Sequence, residues 1–468
     1  MPEGKMTEPP RTLSLAEALS AADETRCLEI GVGLSPNVAR IFREQFAERP
    51  AAVVADPNTY RAAGQAVAET FRAAEHPTVE PFIFRAPDLY AEHRFVLELE
   101  AALRDHAAIP VAVGSGTVND LTKLAAHRAG RPYMCVATAA SIDGYTAFGA
   151  SITYQGAKQT FQCPAPAAVV ADLEVICAAP GRMNSWGYAD LIAKVPAGAD
   201  WIVADALGAE PIHEQAWAIV QGRLREMVAD PAGVRRRNAT AIGKLLEGLM
   251  LGGFAMQAAR SSRPASGAEH QFSHLWDMQH HTHEGQAPSH GFKVGIGTLA
   301  ATGLYERLLA RPLDRLDVDA ACAAWRSADA WIERARELLG KPELIEPASR
   351  ELRAKQSSEE QLRTQLEALR TNWPELRRRL RAQLLPFATL KKMLQQAGAP
   401  TEPEQIGISR DRLRRSYWQA FCIRRRFTVL DLAVRTGVLD DCLEEIFGPG
   451  GLWPCPAAGE PTGARHQP

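Results

Sequence analysis

The segment VAVGSGTVNDLTKLAA, residues 111–126, decides the fold of the first part of the chain. In it an apolar β-type run meets two glycines, and a helix-type run follows within a few residues. Glycines at such a turn let the backbone approach a pyrophosphate, and the free N–H groups of a helix N-terminus attract its charge. The segment departs from GxGxxG because Asn119 or Asp120 stands where the third glycine would be. It favours phosphate binding at Gly114-Ser115-Gly116, with a plain strand-to-helix turn as the alternative.

Further β-type runs alternate with helix-type runs on both sides of this segment, at residues 51–55, 81–84, 133–137, 150–154 and 168–171. The alternation predicts an α/β domain with a parallel sheet over residues 1–183. From residue 184 the apolar residues recur every three to four positions, which predicts a second, all-α domain over 184–446. We expect its helices to be interrupted at Pro374 and Pro386. The Pro- and Gly-rich residues 447–468 predict a disordered tail.

The composition excludes several classes of partner. The 468 residues carry a formal net charge of -2, which gives no reason to expect binding to nucleic acid or to an anionic membrane. The eight cysteines form no CxxC pair, so a zinc ribbon or a disulfide framework is not indicated. The first residues are polar, and apolar runs end well before the ~18 residues of a membrane span. We therefore expect a cytoplasmic protein.

Two strand ends outside the opening segment carry polar residues. Asp56 follows the run 51–55, where a carboxylate could bind an adenine-ribose diol or could cap the helix that starts near Pro57. Residues 138–145, TAASIDGY, follow the run 133–137, and hydroxyl residues with a carboxylate are typical of ligand-binding strand ends. The alternative there is a polar loop in which Asp143 serves as a cap.

Histidines are concentrated in one segment, since six of the twelve fall between His270 and His290. His270 and His274 are four residues apart and share a face of a helix, and His290 opens the next helix-type run. Two facing helices that each present a histidine suit a metal site, whereas His280, His281 and His283 fit an exposed loop. A catalytic site needs a third ligand, for which we predict Asp190, an acid on a helix near the domain junction.

Several motifs resemble, in their order, those of the sn-glycerol-1-phosphate dehydrogenase family. They are GSGTVND, TAASIDGYTA, GYADLIAK, SGAEHQFSH, SHGFKVGIGTL and RRRFTVLDLAVRTGVL, and the resemblance covers residues 25–445. The wider group contains iron-dependent alcohol dehydrogenases and dehydroquinate synthases. The resemblance implies an N-terminal α/β nucleotide domain and a C-terminal helical domain around a cleft. We also expect a homodimer.

The resemblance also implies roles for individual residues. The metal ligands would be Asp190, His270 and His290, and the substrate contacts His274 and Asp143, with Asp190 also near the substrate. Asp56 would bind the ribose. The dinucleotide loops would be Gly114, Ser115, Gly116, Thr117 and Thr138, Ala139, Ala140, Ser141.

The implied reaction is reversible reduction of dihydroxyacetone phosphate at C2 by NAD(P)H, assisted by a divalent metal ion. The ion could be Zn, Ni or Fe, because two histidines and one aspartate suit all three. We expect NAD to be preferred or at least accepted, and the sequence does not decide the preference between NAD and NADP. The sequence does not decide which residue binds the substrate phosphate. The candidates are Lys293, Lys194 and the group Arg424–Arg426.

Three alternatives remain at this stage. A sugar-phosphate cyclase (a lyase) of the same fold would carry a Glu/His/His site and a GHxxGH-type segment, where this chain has Asp190 and EHQFSH. A polyol or alcohol dehydrogenase would act on an unphosphorylated substrate. A catalytically inactive binding protein is disfavoured because all three predicted metal ligands are present.

Overall fold

The structure, a computed structural model, describes residues 12–87, 89–155 and 157–455. The strands among them are β1 Cys27–Gly31, β2 Ala51–Ala55, β3 Phe82–Ile83, β4 Ile109–Gly114, β5 Met134–Ala137, β6 Ala150–Tyr154, β7 Ala157–Phe161 and β8 Ala168–Asp172. Six of them form a parallel sheet in the order β1-β8-β5-β4-β2-β3. The predicted parallel sheet is confirmed.

Helices cover both faces of this sheet. In this region they are α1 Leu15–Ser20, α2 Val38–Phe46, α3 Pro57–Thr59, α4 Gln65–Ala73, α5 His93–Arg104, α6 Gly116–Arg128 and α7 Leu173–Ala178, with a π-helical turn at Tyr60–Gly64. Val111 and Val113 of β4 pack with α2 and α4 on one face, and Ala112 packs with α5 and α6 on the other. Burial on both faces explains why β4 is apolar throughout.

Two strands of the region were not predicted. β1 is an edge strand with partly exposed side chains, and its Glu29 pairs with Arg40 at 3.0 Å, so its sequence lacks a continuous apolar run. β7 pairs antiparallel with β6 in a separate hairpin. The run 150–154 therefore lies outside the parallel sheet, because a short connection cannot make the crossover that parallel pairing requires.

The remainder of the described chain is helical. Its helices are α8 Gly181–Ile192, α9 Lys194–Ala206, α10 Glu214–Gln221, α11 Leu224–Met227, α12 Pro231–Arg235, α13 Ala239–Ala259, α14 Ala268–Met278, α15 His290–Leu309, α16 Val318–Ala324, α17 Ala328–Leu339, α18 Pro342–Lys355, α19 Glu359–Gln383, α20 Phe387–Ala397, α21 Arg410–Cys422, α22 Val429–Arg435 and α23 Leu439–Phe447. Short 3-10 turns lie at Ser35–Asn37, Arg263–Ala265, Leu313–Arg315 and Pro403–Ile406. The predicted fold class, an α/β part followed by an all-α part, is confirmed.

The expected helix break at Pro374 is wrong. Pro374 lies inside α19, whose buried stripe of Leu369, Trp373 and Leu376 continues in register past the proline. Packing of that stripe against the protein holds the helix together despite the lost hydrogen bond. At Pro386 the chain does leave a helix, since α20 begins one residue later.

The predicted tail starts with packed residues. Trp453 is fully buried, its backbone N–H donates to the carbonyl oxygen of Ile446 at 3.0 Å, and its ring lies 5.3 Å from that of Phe387. Residues 456–468 of the predicted tail lie outside the described residues. The division into domains at residue 183 stays a prediction.

One helix of the described chain, α13, is long and apolar enough to cross a membrane, judged by length and composition. Inside the protein, 72% of its most apolar 18-residue window is buried. It packs against α8, α10 and α12, as the core helix of a helical bundle does.

Candidate active site

The three predicted metal ligands lie together. Asp190 is on α8, His270 is on α14 and His290 is the first residue of α15, and one donor atom from each lies within 4.8 Å of the others. Nε2 of His270 is 3.7 Å from Oδ1 of Asp190, and the two imidazole ring centres are 5.2 Å apart. Asp190 is fully buried, His270 is 7% exposed and His290 is partly exposed, so two of the three residues are shielded from solvent and the third is reached by it.

Glycines on α15 let the three helices approach so closely. A Cβ at Gly291 would lie 2.1 Å from the carbonyl oxygen of Trp186 on α8, and one at Gly297 would lie 2.3 Å from that of Glu269 on α14. Any larger residue would push α15 away from both neighbours. The SHGFKVGIGTL motif thus combines a predicted ligand histidine with the small residues that place it.

Each histidine is oriented by a neighbour. Nδ1 of His270 donates a hydrogen bond to Oε1 of Glu269 at 2.9 Å, which leaves the lone pair of Nε2 toward Asp190. Oγ of Ser273 lies 3.4 Å from Nδ1 of His290. A carboxylate on the outer nitrogen of a ligand histidine fixes the tautomer that binds a metal ion. Glu269 was not predicted, although it directly precedes His270 in the sequence.

Lys194 also belongs to this cluster, and its contact with the two acids there was not predicted from the sequence. Its ammonium group lies 2.6 Å from Oδ2 of Asp143 and 2.9 Å from Oδ1 of Asp190, and all three groups are largely buried. Burial alone would lower the pKa of Lys194, but the carboxylates of Asp143 and Asp190 outweigh it, and the pKa is raised. Burial, and then the charge of Asp190, raise the pKa of Asp143.

The donor set fits a divalent metal ion. Two imidazoles and one carboxylate are the three protein ligands of many catalytic sites, which keep a further position for the substrate. Imidazole must be neutral to bind a metal ion, and burial, with the charge of Lys158, lowers the pKa of His290 well below its ordinary value.

His274 lies beside the metal cluster. Its ring centre is 6.2 Å from that of His270 and 6.5 Å from that of His290. Burial, and then the charge of Arg424, lower the pKa of His274 well below its ordinary value, so the ring is neutral at pH 7. The other histidines of the segment lie elsewhere: Nε2 of His281 contacts the carbonyl oxygen of Ile406 at 2.6 Å.

The two predicted nucleotide loops are neighbours at the carboxyl edge of the sheet. β4 ends at Gly114 and the adjacent β5 at Ala137, and the N–H of Thr138 donates to the carbonyl oxygen of Gly114 at 3.1 Å. Ser115 precedes α6 but its side chain makes no capping hydrogen bond, which leaves the first N–H groups of that helix available. A Cβ at Gly116 would lie 2.4 Å from Ile142, so packing also demands glycine there.

A buried lysine joins the second loop to the first helix. Lys123 of α6 donates to the carbonyl oxygens of Gly144 at 2.9 Å, Ala147 at 2.8 Å and Gly149 at 3.0 Å. The loop is thereby fixed on α6, and the N–H of Asp143 reaches Oδ2 of Asp190 at 3.2 Å. The second predicted nucleotide loop therefore contacts Asp190, one of the predicted metal ligands.

Asp56 acts as a helix cap in the structure. Its Oδ1 accepts hydrogen bonds from the N–H groups of Asn58 at 2.7 Å and Thr59 at 3.0 Å. It follows β2, which is the other neighbour of β4, so Asp56 lies at the same edge of the sheet as Gly114. Capping and ribose binding are compatible, because Oδ2 has no hydrogen-bond partner among the described residues.

Comparison with known proteins places this site in a family. Residues 29–180 match the model of the iron-containing alcohol dehydrogenases. A glycerol-1-phosphate dehydrogenase [NAD(P)+] of Halalkalibacterium halodurans is 35% identical over 257 residues, which cover 54% of this chain and 64% of that protein. The protein of the same name from Pyrococcus abyssi is 35% identical over 277 residues, 59% of this chain and 77% of the relative. The chain belongs to the glycerol-1-phosphate dehydrogenase family.

Membership in the glycerol-1-phosphate dehydrogenase family confirms the predicted family, its enzyme class of NAD(P)-dependent dehydrogenases, and the cofactor types, NAD(P) and a divalent metal ion. The solved structure of glycerol dehydrogenase from Schizosaccharomyces pombe has the same fold, with a TM-score of 0.58 at 14% identity over 94% of this chain and 93% of that one. The roles of individual site residues, the predicted homodimer and the cytoplasmic location stay predictions.

Proposed function

We propose that this protein catalyses the reversible NAD(P)-dependent reduction of dihydroxyacetone phosphate to sn-glycerol 1-phosphate. The cluster of Asp190, His270 and His290 carries the proposal, because its donor atoms lie together and Asp190 accepts a hydrogen bond from the second of the two adjacent predicted nucleotide loops. The names of the relatives, which cover 54% and 59% of this chain, support the choice of substrate.

Asp190, His270 and His290 would hold the divalent ion. When bound, the ion supplies Lewis acidity toward a ketone oxygen, and the nicotinamide supplies the hydride. Glu269 keeps His270 in the tautomer that can bind the ion. The role of these residues would be to orient the substrate ketone relative to the nicotinamide and to keep water away from the reacting atoms.

His274 is the proposed proton-transfer residue. Hydride addition to C2 leaves negative charge on the former carbonyl oxygen, and a proton must reach that oxygen to give the alcohol. His274 lies beside both ligand histidines, has a neutral ring because burial lowers its pKa, and is partly exposed to the cleft. Because the ring is neutral, it would act as a relay: one ring nitrogen gives its proton to the alkoxide oxygen while the other nitrogen takes a proton from water.

Asp143 is the proposed contact to a substrate hydroxyl. Its Oδ2 contacts Lys194 at 2.6 Å, and its Oδ1 has no hydrogen-bond partner among the described residues. Lys194 thus holds Asp143 beside Asp190 and balances their charges. The dinucleotide would lie across Gly114 to Thr117 and Thr138 to Ser141, with its pyrophosphate at the N-terminus of α6.

Asp56→Ser should relax the preference for NAD over NADP. A carboxylate at the adenine ribose repels a 2′-phosphate, and we expect a discrimination of about 1–3 kcal/mol to be lost. Serine caps a helix nearly as well as aspartate, so the cap on α3 is retained and only the charge disappears. The ratio of kcat/KM for the two cofactors measures the effect. A wild type that strongly prefers NADP would show that Asp56 does not have this role.

Net consumption of NADH with dihydroxyacetone phosphate, followed by stereochemical analysis of the product, tests the proposal. We expect one NADH oxidised per ketone reduced and sn-glycerol 1-phosphate as product. A sugar-phosphate cyclase would regenerate its cofactor in each turnover and consume no NADH. A product of the opposite configuration would contradict the proposal.

A further inference from the structure

Most cations around the active-site cleft already have partners. Lys194 lies between Asp143 and Asp190, and Lys293 pairs with Asp277. Among the three consecutive arginines after α21, Arg425 binds Glu351 with Nη2–Oε1 at 2.7 Å and Arg426 donates to Ser262 and Ser266. These four side chains are held in place by protein groups and are not free to bind an anion.

Arg424 is different from its two neighbours. Its side chain is partly buried and has neither a hydrogen bond nor an ion pair among the described residues. Glu351 is the acid whose charge acts on Arg424, but both of its carboxylate oxygens are bound by Arg425. Because burial of an unpaired guanidinium is unfavourable, an anion at this place would stabilise the protein.

The loop that carries Arg424 is fixed next to the metal cluster. Nε2 of Gln271, the residue after His270, donates to the carbonyl oxygen of Arg426 at 3.2 Å, and Oγ1 of Thr428 donates to Oε1 of Gln271 at 3.4 Å. α21 also packs against α14, the helix of His270 and His274. Arg424 is therefore held next to the helix that carries His270 and His274.

A second unpaired cation comes from the β6–β7 hairpin. Lys158 of β7 is partly buried, has no ion pair among the described residues, and lies on a strand that packs against α14. Lys158 thus lies on a strand that packs against the same helix as the loop of Arg424. Asp120, which feels the charge of Lys158, already accepts the N–H of Ser151 at 3.3 Å.

We propose that Arg424 and Lys158 bind the phosphate group of a phosphomonoester substrate beside His274. The inference rests on the proposed function, which requires a phosphorylated ketone with C2 at the metal cluster. Two cations from separate segments, neither of which has a side-chain partner in the described part of the chain, would form charge-assisted hydrogen bonds to a phosphate dianion. A guanidinium can do so through two parallel N–H groups.

The test uses the metal-loaded protein and three variants, Arg424→Gln, Lys158→Gln and, as the control, Arg378→Gln. Arg378 is an exposed arginine that binds Glu375 on the same helix, and its loss leaves Glu351 bound to Arg425. Two quantities are measured: the ratio of kcat/KM for dihydroxyacetone phosphate to that for dihydroxyacetone, and calorimetric binding of inorganic phosphate. Loss of one charge-assisted contact should reduce the ratio, and weaken phosphate binding, by about 10- to 100-fold. Arg378→Gln should leave both as in the wild type.

The possible results distinguish a failure of the proposed phosphate site from a failure of the proposed substrate. Equal ratios and equal phosphate affinity in wild type, Arg424→Gln and Lys158→Gln would overturn the proposed site. A wild type that binds phosphate through Arg424 but does not reduce dihydroxyacetone phosphate would support the site and refute the proposed substrate. A wild type that binds no phosphate by either measure would overturn the site.

Discussion

Replacing His270 or His290 with alanine will abolish stoichiometric binding of a divalent ion and lower turnover by several orders of magnitude. Each variant leaves only two of the three donor groups that lie within 4.8 Å of one another. Two protein ligands hold an ion weakly, and without the ion the charge that develops on the ketone oxygen is not stabilised. Metal content by elemental analysis and kcat with a ketone substrate measure the two effects.

His283→Ala is the matched control for both variants. His283 belongs to the same histidine-rich segment, but its backbone pairs with Gln286 and it lies outside the three-residue cluster. It should retain full metal content and activity. Stoichiometric metal in both His270→Ala and His290→Ala would show that the ion is bound elsewhere.

Lys194→Met will destabilise the metal-free protein strongly, and a divalent ion will restore much of the loss. The ammonium group of Lys194 is the charge that compensates the buried carboxylates of Asp143 and Asp190. Removing one partner from a buried ion pair typically costs about 3–5 kcal/mol, because the other charges stay buried and unpaired. An ion bound at Asp190 supplies positive charge at the same place. Thermal unfolding of the chelated and the metal-loaded protein measures the difference.

The control for this prediction is Lys244→Met. Lys244 pairs with Glu226 on the surface at 3.4 Å, where an ion pair contributes at most about 1 kcal/mol. It should change unfolding little, with or without metal. Equal stability of Lys194→Met and wild type in the metal-free state would contradict the role assigned to Lys194.

The sequence contained enough to predict the sheet and the three residues whose donor atoms lie together, Asp190, His270 and His290. Buried strands such as β4 are apolar throughout, and a glycine-rich turn follows. The four-residue spacing of His270 and His274 on α14, with His290 at the start of α15, also follows from local periodicity.

Features that depend on tertiary contacts could not be predicted from local sequence patterns. Lys194 is four residues after Asp190, which is typical of a surface ion pair on a helix, but burial turns it into the partner of two acids. The three arginines at 424–426 look alike in sequence, and only their different partners distinguish Arg424. The edge strand β1 was missed because its side chains are partly exposed and lack the pattern of a core strand.

Catalytic efficiency toward dihydroxyacetone phosphate and toward dihydroxyacetone, measured on the same metal-loaded preparation with NADH, tests the central claim most directly. A phosphate bound by one or two cations contributes about 1.5–3 kcal/mol for each charge-assisted bond. Energy from this remote group can orient C2, so kcat as well as KM should depend on it. We predict that dihydroxyacetone phosphate is reduced at least about 10-fold more efficiently than dihydroxyacetone. The ratio of the two efficiencies should be larger still if both cations bind the phosphate. Equal efficiency for the two ketones would contradict the account and would favour a polyol dehydrogenase.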